Sequence, residues 1–273
     1  MKLDDPLGHN ASVEKAARLL FAFNDDSPEL GVMELSRKVG LNKSTASRFV
    51  ATLVRLGLLE RVDQGGKYRL GTRLLELGTL AMRHRPLCIE ARDLLESLAR
   101  ETRDTAALGV AVASRLLFIQ KFEISQSPIA VGQGYPLHCS AAGKVLLSGL
   151  DDAVVQEYLR RPLAKRTERS IISSKRLHDQ IGAIRDVGYG ADHEELEPGI
   201  ASVAAPVYDR NADVVAAVVL SLAAHRLSSG SLPAIARTVC ETAANLSGRL
   251  GYRAAITIRF PAERRGRGAS ASA

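Results

Sequence analysis

Several features that would define a secreted, membrane-spanning or metal-stabilised protein are missing from this sequence. Its 273 residues contain no apolar run approaching the ~18 residues that a membrane-spanning helix needs. The N-terminal segment MKLDDPLGHN carries acidic side chains and lacks the apolar stretch of a signal peptide. Cys88, Cys139 and Cys240 are isolated from one another, which disfavours a disulfide framework and a structural zinc site. We therefore expect a cytoplasmic protein that holds no metal.

Catalytic signatures are missing as well. Gly132-Gln133-Gly134 lacks the third glycine of a dinucleotide-binding loop. His138-Cys139-Ser140 resembles a nucleophile beside its base, but no GxSxG motif surrounds it. His193-Glu194-Glu195 does not have the HExxH spacing of a zinc enzyme. We interpret all three stretches as pocket or loop residues and expect neither catalysis nor a cofactor.

The positive charge of the chain is concentrated near its N-terminus. A chain of this length is expected to form two domains, at about 100–200 residues per domain. Residues 12–85 carry 13 Lys or Arg against 8 Asp or Glu, whereas residues 86–263 carry 20 of each. A local excess of cationic side chains favours contact with phosphates. We therefore expect the N-terminal part to meet nucleic acid and the neutral remainder to have another kind of partner.

The stretch from Gly31 to Leu70 has the pattern of a helix, a turn and a second helix. Val32, Leu35 and Val39 recur at helical spacing, and Gly40-Leu41-Asn42 then interrupts the pattern. Glycine suits the left-handed position after a helix, and Asn42 can cap the next helix, predicted from about Lys43 to Leu56. Strands at 59–62 and 67–70 flank Asp63-Gln64-Gly65-Gly66, a hairpin signal. This order predicts a winged helix-turn-helix.

The second helix of this motif presents a short, polar and cationic face. Its apolar positions are predicted to turn inward, and they are Ala46, Phe49, Val50, Leu53 and Leu56. On the opposite face, hydroxyl groups can reach phosphates and arginine can bind the edge of guanine. The candidate DNA-contacting residues are Lys43, Ser44, Thr45, Ser47, Arg48, Thr52 and Arg55 of this helix and Lys67 of the wing. A helical hairpin with a merely solvated polar face is the structural alternative.

Helices are predicted on both sides of this motif. One begins with Ser12 as its N-cap and continues to Phe23, supporting the motif from behind. After the wing, leucines at 74, 75, 77 and 80 give a following helix a large apolar surface, and Arg83-His84-Arg85-Pro86 interrupts it. A further helix is predicted from about Leu87 to Glu101. These two helices either pack locally or carry dimer contacts, because a lone winged helix reads only a half-site.

From Thr105 the pattern changes from helical to extended. Strands are predicted at 106–113, 116–122, 129–132, 200–207 and 214–222, and helices at 140–150, 151–159, 175–187 and 231–250. Hairpin-like joins favour an α+β fold with an antiparallel sheet over a doubly wound one. The helix start near Ser140–Gly143 offers backbone N–H groups as an anion site. The arginine- and serine-rich tail at 264–273 is predicted to be disordered.

From Ser12-Val13-Glu14-Lys15-Ala16 to about Gly251, the chain resembles the IclR family of bacterial transcription regulators. The motifs that carry the resemblance are LNKSTASRFVATLVRLGLL with its wing, PLHCSAAGKVLL and GYGADHEELEPGIASVAAPVYD. The resemblance implies a winged helix-turn-helix domain at 12–71, a linker helix at 72–86 and a GAF-like effector-binding domain at 87–254. It also implies homodimers, often paired as tetramers, on double-stranded operator DNA.

The resemblance also assigns an effector pocket. The matching positions are Val131, Leu137, Ala141, Ala142, Asp192, Ser202, Val219 and Ser221. Two serines on the last strand are common in members that bind small oxo-acids, and Val219 replaces one of them, which weakens an assignment to glyoxylate or pyruvate. The implied function is a ligand-responsive regulator, more often a repressor of a catabolic operon, controlled by a small organic acid. The alternatives are an activator, an enzyme fused to a winged domain, and an architectural DNA binder whose C-terminal part only dimerises.

Overall fold

A computed structural model describes residues 10–24, 26–62, 65–254 and 256. Between His84 and Arg85 the chain divides into two compact units. The N-terminal unit has its elements in the order α1 (Ala11–Phe21), β1 (Leu30–Gly31), α2 (Val32–Val39), α3 (Lys43–Arg55), β2 (Leu59–Arg61), β3 (Lys67–Leu70) and α4 (Thr72–Arg83). Both β1 and β2 pair antiparallel with β3, giving a small sheet in the order β1-β3-β2. The winged helix-turn-helix is thereby confirmed, with β1 as an additional strand.

Local sequence signals determine where α2 and α3 begin and end. Gly40 adopts a left-handed conformation with φ of 72°, as predicted for the residue that follows α2. The side chain of Asn42 accepts a hydrogen bond from the backbone N–H of Thr45, so it caps α3 as predicted. Leu35, Val50 and Leu53 are buried together in the core of this unit. These contacts fix the outer face of α3 toward solvent.

The predictions for α1 were partly wrong. The N-cap is Asn10 rather than Ser12, because the Asn10 side chain accepts from the backbone N–H groups of Ser12 and Val13. The helix ends at Phe21, and Leu19 is its buried residue. Val13, in the first turn of this helix, is 65% exposed.

Close contacts join the wing to α4. A Cβ added to Gly71, the residue before α4, would lie 2.2 Å from the carbonyl oxygen of Gly57, so only glycine allows this approach. The backbone N–H of Gly71 donates to the carbonyl oxygen of Leu58 at 2.9 Å. In contrast, none of the residues of α4 is buried, and Leu75 is 72% exposed. The start of α4 is therefore held tightly while its apolar side is left uncovered in the single chain.

The C-terminal unit is built on one antiparallel sheet in the order β6-β5-β4-β9-β8-β7. Its elements are α5 (Pro86–Thr102), β4 (Thr105–Val112), β5 (Arg115–Phe122), β6 (Gly134–Pro136), α6 (Ala141–Ser148), α7 (Asp152–Leu159), α8 (Ser174–Val187), β7 (Gly190–His193), β8 (Ile200–Tyr208), β9 (Val214–Ala223) and α9 (Leu232–Arg249). Every strand pair is antiparallel. The predicted α+β class is confirmed.

Helices cover both faces of this sheet. Phe118, Ala204 and Val219 belong to the same core as Val145 of α6 and Ile184 of α8. The remaining helices, α5 and α9, contact each other and the central strands. Because side chains alternate between the faces of a strand, Ser202 and Ser221 share the α6 face with Ala204 and Val219. Both serines are buried there.

One strand predicted for the C-terminal sheet was wrong, and two of its strands were not predicted. Residues 129–132 do not form a strand, because Gly132 turns left-handed at φ 87° and the Lys121 ammonium donates to the Ile129 carbonyl oxygen. The strand that follows β5 is instead β6, which begins at Gly134, two residues after the end of the predicted strand, and pairs with β5. The other strand that was not predicted, β7, begins at Gly190, shortly after the helix predicted at 175–187, and pairs with β8. The tail at 264–273 lies outside the described residues.

Candidate DNA-binding surface and effector cavity

The candidate DNA-contacting residues form one exposed surface on α3. Their side chains are exposed, with Thr45 partly buried, and they are Lys43, Ser44, Thr45, Ser47, Arg48, Thr52 and Arg55. Lys67, the first residue of β3, is exposed on the wing. In the described part of the chain, no acidic side chain pairs with Arg48 or Arg55. Both arginines are exposed on the surface of α3.

Two hydroxyl groups on this surface already donate their protons within the helix. The hydroxyl of Ser44 donates to the Asn42 side-chain oxygen at 2.9 Å, and that of Thr52 donates to the carbonyl oxygen of Arg48 at 3.0 Å. Binding a phosphate through either hydroxyl would require that hydrogen bond to be exchanged. The arginines are thus the side chains most directly prepared for DNA contact.

A small cavity lies on the α6 face of the C-terminal sheet. It is lined by Phe118, Pro128, Ile129, Ser140, Asp192, Leu196, Glu197, Ile200, Ser202, Val219 and Ser221. Its volume is about 20 Å³, enough for one or two water molecules. The segment between β7 and β8 supplies Leu196 and Glu197 to this lining.

Asp192 at the end of β7 is the buried acid of the cavity. Its carboxylate accepts hydrogen bonds from the backbone N–H of Ala141 at 2.9 Å and from the hydroxyl of Ser202. Burial raises the pKa of Asp192, and Lys144 together with these donors opposes that rise. The N–H group of Ala141 belongs to the first turn of α6, where the sequence predicted an anion site. The protein's own carboxylate thus binds at this position.

Lys144 and Glu195 form a fully buried ion pair beside Asp192. The ammonium group of Lys144 donates to the two carboxylate oxygens of Glu195 at 2.8 and 3.0 Å. It also donates to the side-chain oxygen of Gln180 and to the carbonyl oxygen of Ala191, each at 2.9 Å. Burial raises the pKa of Glu195, and the charge of Lys144 opposes this. The charge of Lys144 is therefore already matched by a carboxylate.

The effector residues implied by the resemblance differ in how close they lie to the cavity. Asp192, Ser202, Val219 and Ser221 line the cavity. Ala141 adjoins it through its bond to Asp192, whereas Ala142 and Leu137 are buried in the core around α6. Val131 lies outside the cavity lining and is 54% exposed.

Several lining residues were not among the sequence candidates. They are Phe118, Pro128, Ile129, Ser140, Leu196, Glu197 and Ile200. Alternation along β5 would have placed Phe118 on the same face as the cavity had the order of the strands been known. For Leu196 and Glu197, which lie in an irregular segment, no periodic signal was available.

The side chains of His138 and Cys139, in the stretch that resembled a nucleophile beside its base, are buried. His138 is buried, with Nδ1 2.8 Å from the Tyr158 hydroxyl oxygen and Nε2 2.9 Å from the Ala164 carbonyl oxygen, and burial lowers its pKa. Burial raises the pKa of Cys139 to about 11, so its thiol is not activated as a nucleophile. Among the described residues, no group of three or more His, Cys, Asp or Glu side chains could hold a metal ion.

Comparison with known proteins identifies both units. Residues 12–63 match the family model described as the IclR helix-turn-helix domain. Residues 79–248 match the model described as the bacterial transcriptional regulator IclR C-terminal domain. The chain belongs to the IclR family. It is an IclR-family transcriptional regulator with an N-terminal DNA-binding domain and a C-terminal ligand-binding domain.

Individual IclR-family proteins resemble the chain over most of its length. The transcriptional regulator XynR of Escherichia coli K12 is 32% identical over 88% of this chain and 97% of its own. The glycerol operon regulatory protein of Streptomyces coelicolor is 33% identical over 88% of this chain and 96% of its own. An IclR homolog from Microbacterium hydrocarbonoxydans, crystallised with 4-hydroxybenzoate, aligns with a TM-score of 0.72 and 25% identity over 88% of this chain and 99% of its own.

The relatives named above are transcriptional regulators. Within the described residues, no helix is both long and apolar enough to cross a membrane.

Proposed function

We propose that this IclR-family regulator represses a catabolic operon and that a small organic acid, bound in the cavity beside Asp192, changes its affinity for operator DNA. The observation that supports the proposal most directly is the small cavity on the α6 face, whose mostly apolar lining also includes Asp192, Ser202 and Ser221. A cavity with a few convergent polar groups is the usual form of a small-molecule site. The similarity to an operon regulator and to a family member crystallised with an aromatic acid supports this ligand class.

Operator recognition is assigned to α3 and the wing. We infer that Arg48 and Arg55 enter the major groove, while Lys43 and Lys67 contact phosphates. A winged domain reads one half-site, so recognition of a palindromic operator needs two copies of the chain. The apolar side chains that α4 leaves exposed, Leu75, Leu77 and Leu80, would supply contacts for a homodimer or a tetramer.

The ligand is expected to act through linkage between its site and the DNA-binding surface. A ligand changes DNA affinity only if it binds more tightly to one of the two arrangements of the dimer, and the reciprocal effect of DNA on ligand binding is then equal. Because the cavity is small, the segment that carries Leu196 and Glu197 must move when a ligand enters. This movement would be the first structural change in the response.

A combined ligand and DNA experiment tests this proposal. Thermal-shift measurements with a panel of small carboxylic acids should find a compound that stabilises the wild-type protein, and fluorescence anisotropy should show that the same compound changes binding to DNA from beside its own gene. The variant Asp192→Ala with Ser221→Ala should lose both effects and keep its ligand-free affinity for DNA. A matched control is Val154→Ala, at an exposed position in α7.

The outcomes separate this function from its rivals. A wild-type protein whose DNA affinity no compound alters would favour the architectural DNA binder, and retention of the ligand effect in the double variant would place the site elsewhere. Transcription of a reporter with and without the regulator gives the sign, since a drop in transcription on deletion would identify an activator instead of a repressor.

A further inference from the structure

The cavity is lined by acidic and neutral groups only. Its polar side chains are the carboxyl groups of Asp192 and Glu197 and the hydroxyl groups of Ser140, Ser202 and Ser221. The remaining side chains of the lining are apolar, and none is Lys, Arg or His. A carboxylate ligand placed here would meet carboxyl groups without a cationic partner in the wall. Such a pair of like charges is strongly unfavourable in a buried site.

The cations beside the cavity are already engaged by protein groups. The ammonium group of Lys121 donates to the carbonyl oxygen of Ile129, a lining residue, and is paired with the carboxylate of Glu123 at 2.8 Å. The ammonium group of Lys144 is held by both oxygens of Glu195 and by two further acceptors. Arg166 lies outside the lining, and its guanidinium is 3.3 Å from the carboxylate of Glu197. The α6 N–H group of Ala141, which could otherwise stabilise an anion, donates to Asp192. The charge of an incoming acid therefore has to be balanced in another way.

We propose that an organic-acid effector binds together with one proton, which is shared between its carboxyl group and that of Asp192. This inference rests on the proposed function, because it concerns the same cavity. Above the pKa of free Asp192, the ligand and Asp192 are both carboxylates before binding. On binding, one proton is taken up from solvent and held between one oxygen of each group. The two carboxyl groups together then carry a single negative charge. Asp192 then acts as a hydrogen-bond donor to the ligand.

Carboxyl pairs that share one proton are a known solution to this charge problem, because the second ionisation of such a pair is raised far above that of an isolated acid. The existing contacts of Asp192 fit this arrangement. Its Oδ2 atom accepts from both Ala141 and Ser202. These donors fix the carboxyl group in place and stabilise its charge, which leaves the proton to lie toward the ligand.

Charged and titratable groups from several elements surround Asp192. From α6, the charge of Lys144 lowers the pKa of Asp192, and from the segment after β7 the backbone N–H of Glu195 lowers it as well. The charge of Asp192 in turn raises the pKa of Glu195. The Cys139 thiol, which precedes α6, also lies close enough to interact with Asp192, but its pKa of about 11 keeps it neutral. Glu197 lines the cavity and is paired with Arg166. From β8 and β9, the facing side chains are the hydroxyls of Ser202 and Ser221 and the apolar Val219.

The sign of the pH dependence follows from the proton balance. Below the pKa of free Asp192, which burial raises, the proton is already present and the affinity for the acid does not depend on its uptake. Above that pKa, each binding event must take a proton from solvent, so the Kd for the acid rises toward tenfold per pH unit. An uncharged ligand of the same shape takes up no proton and shows no such slope.

The test compares acids with their uncharged counterparts on the full chain. The probes are benzoate with benzamide, and lactate with propane-1,2-diol. Isothermal titration in buffers of different ionisation heat, repeated from pH 6 to pH 9, measures the protons taken up. Wild-type protein should take up close to one proton per acid at the alkaline end. The Asp192→Asn variant, whose amide donates without a proton from solvent, should still bind the acid and lose the pH slope.

A second variant distinguishes the loss of the shared proton from a general loss of ligand binding. The Ser221→Ala variant should bind the acids more weakly and retain the slope, since it removes a hydroxyl and leaves Asp192 unchanged. Acid binding by the wild-type protein with no proton uptake at any pH would overturn the inference while leaving the proposed function intact. If only the uncharged probes bind, or if neither class shifts the thermal midpoint, the proposed organic-acid effector fails together with the inference.

Discussion

Glu60 in the wing accepts a hydrogen bond from the backbone N–H of Thr72, the first residue of α4, at 2.8 Å. The same carboxylate is paired with the guanidinium of Arg69 at 3.2 Å. Glu60 therefore acts as a cap that lies outside the helix in sequence, and it ties β2 and β3 to the start of α4. Since free N–H groups at a helix N-terminus favour a negative charge, this contact stabilises the junction.

Removing this cap should loosen the start of α4. Glu60→Ala is expected to accelerate hydrogen exchange at the amide of Thr72 and to lower the Tm, while Glu60→Gln keeps an acceptor and has a smaller effect. The hydrogen bonds from Thr72 and Arg69 lower the pKa of Glu60, so its contribution is present above the unfolded pKa and lost as pH falls through the folded value. Equal exchange rates in Glu60→Ala and wild type would contradict this role.

Two glycines of α4, one at its N-cap and one in its middle, should respond oppositely to substitution by alanine. Gly71→Ala places a Cβ against the Gly57 carbonyl oxygen and should destabilise the N-terminal unit by about 1–3 kcal/mol. Gly78 lies within α4 with open space around it, so Gly78→Ala should stabilise by up to about 1 kcal/mol. Urea unfolding followed by circular dichroism measures both changes. Destabilisation by the two substitutions alike would refute the packing argument.

Base and phosphate contacts can be told apart on the DNA-binding surface. Arg48→Ala should weaken binding to the operator by ~1–3 kcal/mol and have little effect on scrambled DNA, whereas Lys67→Ala should weaken both and reduce the salt slope by about 1. Fluorescence anisotropy across several salt concentrations measures these quantities. Arg92→Ala, at an exposed position of α5, serves as the control of charge. Unchanged operator binding by Arg48→Ala would remove it from the recognition face.

The buried ion pair should be costly to break from one side. Lys144→Met leaves the Glu195 carboxylate unpaired and should destabilise the C-terminal unit by about 3–5 kcal/mol, while the double variant Lys144→Met with Glu195→Leu should recover most of this loss. Without Lys144 the pKa of Glu195 rises further above its ordinary value, so the stability of the single variant should fall as pH increases. Denaturant midpoints at several pH values measure this. A double variant less stable than the single one would exclude an uncompensated charge as the cause.

The exposed leucines of α4 carry the proposed self-association. The double variant Leu75→Lys with Leu80→Lys should shift the sedimentation coefficient toward that of a monomer and weaken operator binding, because an apolar contact is replaced by like charges. Val154→Lys, on the exposed side of α7, is the matched substitution. A variant that sediments as wild type does would move the dimer contact to another surface.

Local chemistry explains which parts of the fold were predictable. Gly40 and Asn42 were assigned correctly because the requirements of a left-handed residue and a helix cap can be read from a few neighbours. The strands β1 and β7 are short and contain glycine, and they exist because longer strands pair with them. Such pairing depends on residues far away in sequence, so no local pattern predicts it.

The cavity shows the same division. Asp192 and Ser202 were found through the family resemblance, and the structure places them within hydrogen-bonding contact. Glu197 is a cavity residue because of the path of an irregular segment, for which the sequence offered no period. Its carboxyl group makes the lining more acidic than the sequence candidates alone suggested.

The tight junction at Gly71 and Glu60 makes α4 a lever for the winged unit. The helix has 12 residues, so at ~1.5 Å per residue its arm is about 18 Å long. A tilt of about 10° at its far end, near His84, would displace the wing end by roughly 3 Å. That distance is close to the ~3.4 Å rise between successive base pairs. Because the junction of Gly71 and Glu60 is tight, a rotation of this size would reach the wing as a shift comparable with the spacing of base pairs.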